Sequence, residues 1–210
     1  MNLFEYIHEK YLFGRRIRVL CERLAECIPP DATLLDVGCG DGSLALRIMQ
    51  MRPDITIRGI DVLIRDKVHI PVELFDSTQF PYDDNHFDAV MFVDVLHHTD
   101  DPEHLLREAA RVARKNVIIK DHLLNGLLAG PTLRLMDHVG NARHGVTLIY
   151  NFWSRKRWQQ TFQSLGLSTA TWNERLHIYP WPIGLIFDRT LHFIASLSLP
   201  ENRQTDHHAP

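Results

Sequence analysis

The run Leu34-Leu35-Asp36-Val37-Gly38-Cys39-Gly40-Asp41-Gly42 constrains this chain more than any other stretch. A short buried-strand pattern leads into a turn with glycine at alternate positions, after which Leu44, Leu46, Ile48 and Met49 resume helical character. A strand that turns on glycines into a helix lets backbone amides and the helix N-terminus approach a ligand as larger residues would not. A dinucleotide-binding turn reads G-x-G-x-x-G. Here the third glycine position holds Ser43 and the extra glycine falls early, at Gly42, which counts against a nicotinamide cofactor.

The same alternation continues, with strands predicted over 55–60, 72–75, 87–93 and 116–120 and a helix over 102–113. Ser154 reads as the N-cap of a helix ending at Gly166, followed by strands near 167–172 and 191–195. The expected fold is therefore α/β: a Rossmann-like, seven-stranded, mostly parallel sheet with helices on both faces and an antiparallel C-terminal edge. Only residues 62–71 join the second and third strands, so a very short crossover helix is expected there. We expect one domain over 1–200: a helical cap at 1–30 jointed at Gly14, a cofactor-binding half at 31–121, a lid or substrate insertion at 122–153, and a C-terminal helix with edge strands at 154–200. The polar stretch 201–210 reads as a disordered tail.

Composition narrows the function. The 26 acidic and 23 basic side chains leave a net charge of -3 and no basic tract, so nothing draws the protein to nucleic acid; a small-molecule partner fits better. There is neither a signal-peptide pattern nor a long uncharged apolar run, although peripheral membrane contact stays open. The odd set Cys21, Cys27 and Cys39 lacks disulfide or zinc spacing, so a reducing, cytoplasmic location is expected. Composition does not indicate an oligomeric state.

Asp61 ends the second strand, where an ionised carboxylate can accept both hydroxyls of a ribose. Nicotinamide enzymes use the same device, so Asp61 alone does not discriminate. A further carboxylate beyond the third strand, in Asp76-Ser77, does: it can accept from an adenine amino group.

Leu34 to Gly42, Gly59 to Val62, Asp76 to Asp88 and Val95-Leu96-His97-His98 together resemble the motif series of class I S-adenosylmethionine-dependent methyltransferases, over roughly residues 30–120. The resemblance implies S-adenosylmethionine as cofactor. Its methionine part would be cradled by Gly38, Cys39 and Gly40 with Asp36 behind them, its ribose held by Asp61 beside Val62, and its adenine read by Asp76 and Ser77, with Val93 lining the site. A nicotinamide-dependent oxidoreductase and a non-catalytic S-adenosylmethionine-binding protein are the alternatives.

The sulfonium already activates the methyl group, so the protein has chiefly to align the acceptor atom. An oxygen acceptor of high pKa also needs a base or a metal; the bases available here put oxygen ahead of nitrogen, sulfur or carbon, and the apolar segment 179–187 suits an aromatic or lipid-like compound. Asp94, His97 and His98 leave the fourth strand at the sheet edge where such folds bind ligands, and are the candidate catalytic residues. One imidazole could act as base, or the three groups could hold a metal. Quinone-biosynthesis O-methyltransferases look similar here, with acidic residues at the positions of Asp94 and His97 and a histidine at His98. Imidazole at His97 suits a hard cation poorly, so the metal-free base is favoured, with the two histidines indistinguishable. Asp121, His122, His138, Asn141, His144, Tyr150 and Trp153, dense in a segment with little core periodicity, are the candidate substrate contacts. Arg15 and Arg16 read as a solvated charged face. The apolar segment 179–187 suits a pocket lining, a dimer surface or plain core.

Overall fold

A computed structural model describes residues 14–141 and 149–200. The expectations for residues 1–13, for His144 and for the 201–210 tail lie outside the described residues, as does the side chain of Asn141.

The elements in chain order are α1 (Gly14–Cys27), β1 (Thr33–Val37), α2 (Ser43–Met51), β2 (Thr56–Asp61), β3 (Val72–Leu74), β4 (Phe87–Val93), a 3-10 turn (Leu96–His98), α3 (Pro102–Val112), β5 (Ala113–His122), α4 (Ala129–Asn141), α5 (Arg155–Ser164), β6 (Ser168–Asn173), α6 (Gly184–Phe187) and β7 (His192–Ser198). Seven strands form one sheet in the order β3-β2-β1-β4-β5-β7-β6. The pairs from β3 to β5 are parallel, while β7 runs antiparallel to both β5 and β6. The mostly parallel sheet and its antiparallel edge are as the alternation predicts.

Period-two alternation explains why both faces are dry. Leu35, Val37, Val90, Phe92, Val117 and Ile119 enter one core, against α3 and α5. Leu34, Ala89, Met91 and Ile118 enter the other, against α1 and α2. α1 reaches that core through Leu20, Cys21, Leu24 and Ala25, one stripe of the helix. Pro102 opens α3, and the Asp101 carboxylate caps it by accepting the His104 N–H at 2.9 Å. Ser154 caps α5 as expected.

Two expectations are corrected. Residues 62–71 connect β2 to β3 without a helix, because so short a crossover leaves no room for one. The supposedly aperiodic insertion contains α4, whose buried Ala129 and Leu133 pack on Leu191. Among the described residues, no helix is long and apolar enough to cross a membrane.

Candidate active site

The chain leaves β1 through Gly38 and Gly40 at φ +69° and +60°, a region that a Cβ makes costly. At Gly38 there is also no room, since a Cβ would lie 2.6 Å from Val95 Cγ2. The exit turn of β4 is thus packed directly on the glycine turn. Over Gly40 the space is open, and its N–H donates to Asp61 Oδ2 at 2.8 Å. The Leu63 N–H donates to Asp61 Oδ1 at 3.0 Å, so the carboxylate is fixed while lone pairs remain for a diol. Asp36 lies behind the turn, where burial and the neighbouring Asp61 charge push its carboxyl up to about 8. Burial, then Asp36, likewise holds the Cys39 thiol far above its ordinary range. Asp76 is exposed just beyond β3 and accepts the hydroxyl and the N–H of Thr78, which keep its carboxyl low. Ser77 adopts a left-handed φ of 63°, Val62 is exposed and Val93 is half-buried.

On the other side of the turn, β4 ends in Asp94, itself left-handed at φ 57°. The Asp94 carboxylate takes the Arg16 guanidinium at 2.5 Å and the Lys120 ammonium. Lys120 is wholly buried on β5, and burial pulls its pKa down against the pull of Asp94. His192 Nε2 lies 3.1 Å from the Phe187 carbonyl, which can only accept, so Nδ1 is left as an acceptor 3.4 Å from Lys120 Nζ. Burial and Lys120 keep that imidazole neutral.

His97 is 1% exposed and lies between two carboxylates, with Nδ1 2.7 Å from Asp121 Oδ1 and Nε2 3.4 Å from Asp137 Oδ1. Burial opposes its charge, but Asp121 and Asp137 outweigh it and push the imidazole up to about 10. A group so held cannot accept a proton near neutrality, which removes His97 as the simple base. His98 Nε2 lies 3.3 Å from the same Asp137 oxygen, with the His98 side chain 14% exposed. Despite their burial, Asp121 and Asp137 are held low by the histidines they face. Asp121 also accepts the backbone N–H of Leu96 at 3.0 Å and of His122 at 2.7 Å. His122 goes the other way: burial, Lys120 and His97 push it down to about 4, so it is neutral.

The structure thus separates two groups of the expected trio. Asp94 is committed to Arg16 and Lys120, whereas the His97 and His98 rings lie 4.1 Å apart, close to Asp137. Arg16 is therefore an ion-pair partner and not a solvated residue; Arg15 donates to the His177 carbonyl at 3.1 Å. Asp121 and His122 belong to the cluster. Tyr150 lies beside Phe152, whose ring stacks on His97 at 5.3 Å. Trp153 is corrected: it is 1% exposed and packs on Trp158 in the core, with no open face for a ligand. His138 points outward and Asp137 inward. Sequence reasoning passed over Asp137, although its spacing of four from Leu133 and eight from Ala129 marks it as the buried face of a helix. Lys120, His192 and Phe152 were likewise missed as members of the network. In the 179–187 segment, Trp181, Leu185 and Ile186 are exposed and so are not core.

A family model described as a methyltransferase domain matches residues 8–171. The 27-O-demethylrifamycin SV methyltransferase of Amycolatopsis mediterranei is 36% identical over 110 residues, 45% of this chain and 40% of that one. The sarcosine/dimethylglycine N-methyltransferase of Halorhodospira halochloris is 26% identical over 82% of this chain and 64% of its own. The chain spans about half the length of the curated relatives it matches. Among solved structures, geranyl diphosphate C-methyltransferase from Streptomyces coelicolor aligns with a TM-score of 0.64 at 15% identity, covering 87% of this chain and 79% of that chain. The [4+2]-cyclase SpnF aligns at 0.63 and 18% identity, covering 88% and 80%. At such identities these two likenesses show the fold alone.

Proposed function

We propose, from the premise that this chain belongs to the class I S-adenosylmethionine-dependent methyltransferases, that it transfers the cofactor's methyl group to an oxygen of a small aromatic or lipid-like acceptor. When bound, the cofactor supplies a methyl group already activated by its sulfonium. The open space over Gly40 and the Asp61 carboxylate beside it suit a ligand that carries a ribose diol. Asp76 at the neighbouring strand end is assigned to the adenine.

The observation that carries the acceptor side is the contact of Val95 with Gly38, which brings the 94–98 turn against the cofactor turn. Of the two histidines in that turn His98 is the one with some exposure, and it is where we place activation of the acceptor oxygen. His97, Asp121 and Asp137 position it, while Arg16, Lys120 and Asp94 brace the turn from the other side. We assign the 122–153 insertion to the substrate side and lid, a reading supported by Phe152 stacked on His97 and by Tyr150 beside Phe152. A cytoplasmic location belongs to the same reading.

Titration calorimetry of the full chain against S-adenosylhomocysteine and NAD tests the cofactor half. We expect a 1:1 complex with S-adenosylhomocysteine and none with NAD; the reverse would overturn the proposal. Binding without turnover of any acceptor would instead favour a non-catalytic cofactor-binding protein.

A further inference from the structure

We propose that His97 Nε2, His98 Nε2 and Asp137 Oδ1 form a binding site for a divalent transition-metal ion of the zinc class, with Asp121 as the supporting carboxylate behind His97. Their ligand atoms all lie within 4.8 Å of one another. The two imidazole nitrogens stand 3.4 and 3.3 Å from one carboxylate oxygen. A charged imidazole donating to a carboxylate normally closes to about 2.7–2.9 Å, as His97 Nδ1 does with Asp121 at 2.7 Å. Nitrogen and oxygen ligands on bonds of about 2.0–2.1 Å at tetrahedral angles instead lie about 3.3–3.4 Å apart. The spacing on the Asp137 side therefore matches that of atoms sharing an ion.

The surroundings are those of a built site. The Asp121 carboxylate is fixed by the N–H groups of Leu96 and His122 and accepts from His97 Nδ1, which aims Nε2 at Asp137. A carboxylate behind a ligating histidine sets its tautomer and ring orientation. Phe152 stacks on the same ring at 5.3 Å and the His97 side chain is 1% exposed, so the imidazole has little freedom to turn away. Two imidazoles and one carboxylate favour zinc, cobalt or iron over magnesium or calcium. Binding would replace the proton on His97 Nε2, which leaves to solvent. Asp94 is not a ligand, because Arg16 and Lys120 hold its carboxylate.

Three protein ligands leave a fourth position, and the only flank of the three with appreciable exposure is at His98. There the ion would polarise a hydroxyl or enol oxygen of the acceptor and lower its pKa. This last step rests on the methyltransferase reading above; the metal site itself does not.

The test uses the full chain, stripped with chelator and titrated with Co2+, read by the visible absorbance of the bound ion. We expect one Co2+ per chain. His98→Ala and Asp137→Asn should abolish the spectrum, Asp121→Asn should weaken binding about 10–100-fold, and outward-facing His138→Ala should leave it unchanged. Thermal denaturation followed by circular dichroism confirms that each variant is folded, and S-adenosylhomocysteine calorimetry is run alongside. A native chain with no Co2+ spectrum, or one whose spectrum survives both ligand substitutions, overturns the site. Retained S-adenosylhomocysteine binding without Co2+ binding would refute the metal and leave the methyltransferase reading intact. Co2+ binding without S-adenosylhomocysteine binding would support the site and refute that reading.

Discussion

Lys120 is wholly buried with its ammonium against Asp94, so Lys120→Met should cost more than any exposed substitution while keeping the length and apolar stem of the side chain. Removing one partner of a buried ion pair costs about 3–5 kcal/mol, because the other charge is left uncompensated. Arg16 remains on Asp94 at 2.5 Å and its side chain is 26% exposed, so it shields the stranded carboxylate in part. The lower end, about 3 kcal/mol, is expected. In a chain of this size each kcal/mol moves Tm by about 2–4 °C, which gives a fall of about 6–12 °C. Asp94→Asn should be comparably costly, since it removes the carboxylate that pairs with the buried Lys120 ammonium and leaves that ammonium close to the Arg16 charge and the neutral His192. The double variant removes both charges and should be more stable than the sum of the two single losses predicts by about 0.5–3 kcal/mol, the coupling of groups in direct contact. Thermal denaturation of the four proteins followed by circular dichroism at pH 7 measures this. Additive losses, or a single Lys120→Met variant as stable as the parent, would refute a charged, paired Lys120.

Asp36, with its carboxyl pushed up to about 8 by burial and Asp61, keeps its proton in the fold after the unfolded chain has lost it. Its contribution to stability is therefore complete below the ordinary carboxylate pKa and is lost as pH rises toward about 8. Denaturant midpoints of native protein should fall across that window, and those of Asp36→Asn should fall less; equal slopes would refute the shift. Asp61→Asn should weaken S-adenosylhomocysteine binding by about 2–4 kcal/mol in calorimetry. It should also lower stability, because the same carboxylate holds the N–H groups of Gly40 and Leu63; an unchanged affinity would remove the ribose assignment. Amide exchange across 121–153 should slow when S-adenosylhomocysteine and an acceptor bind together, and equal rates would remove the lid.

The strand-turn-helix frame was legible because parallel strands are buried on both faces and read as apolar runs: the predicted strand over 87–93 is β4 to the residue. β5 runs further than the predicted 116–120, from Ala113 to His122. Its polar ends, Arg114-Lys115 and Lys120-Asp121-His122, resemble loop in isolation, but β7 pairs along it as far as His122 with His192. α4 was hidden by Gly130-Pro131 and Gly140, although proline is tolerated in a first helical turn. The cofactor half was carried by local spacing. The acceptor half depends on contacts between residues far apart in sequence, such as Arg16 with Asp94 and His97 with Asp137, and no local pattern encodes those. His97 and His98 are adjacent and alike as letters; burial between two carboxylates is what separates them.

The most direct test of the account is transfer of labelled methyl from S-adenosylmethionine to a panel of hydroxylated aromatic and isoprenoid compounds, run with native protein and with His98→Ala. The account predicts label in an acceptor at one S-adenosylhomocysteine per methyl. It predicts a loss of about a hundredfold to ten-thousandfold in the variant, with S-adenosylhomocysteine binding preserved. Equal turnover by His98→Ala would contradict it, as would tight S-adenosylmethionine binding with no label reaching any acceptor.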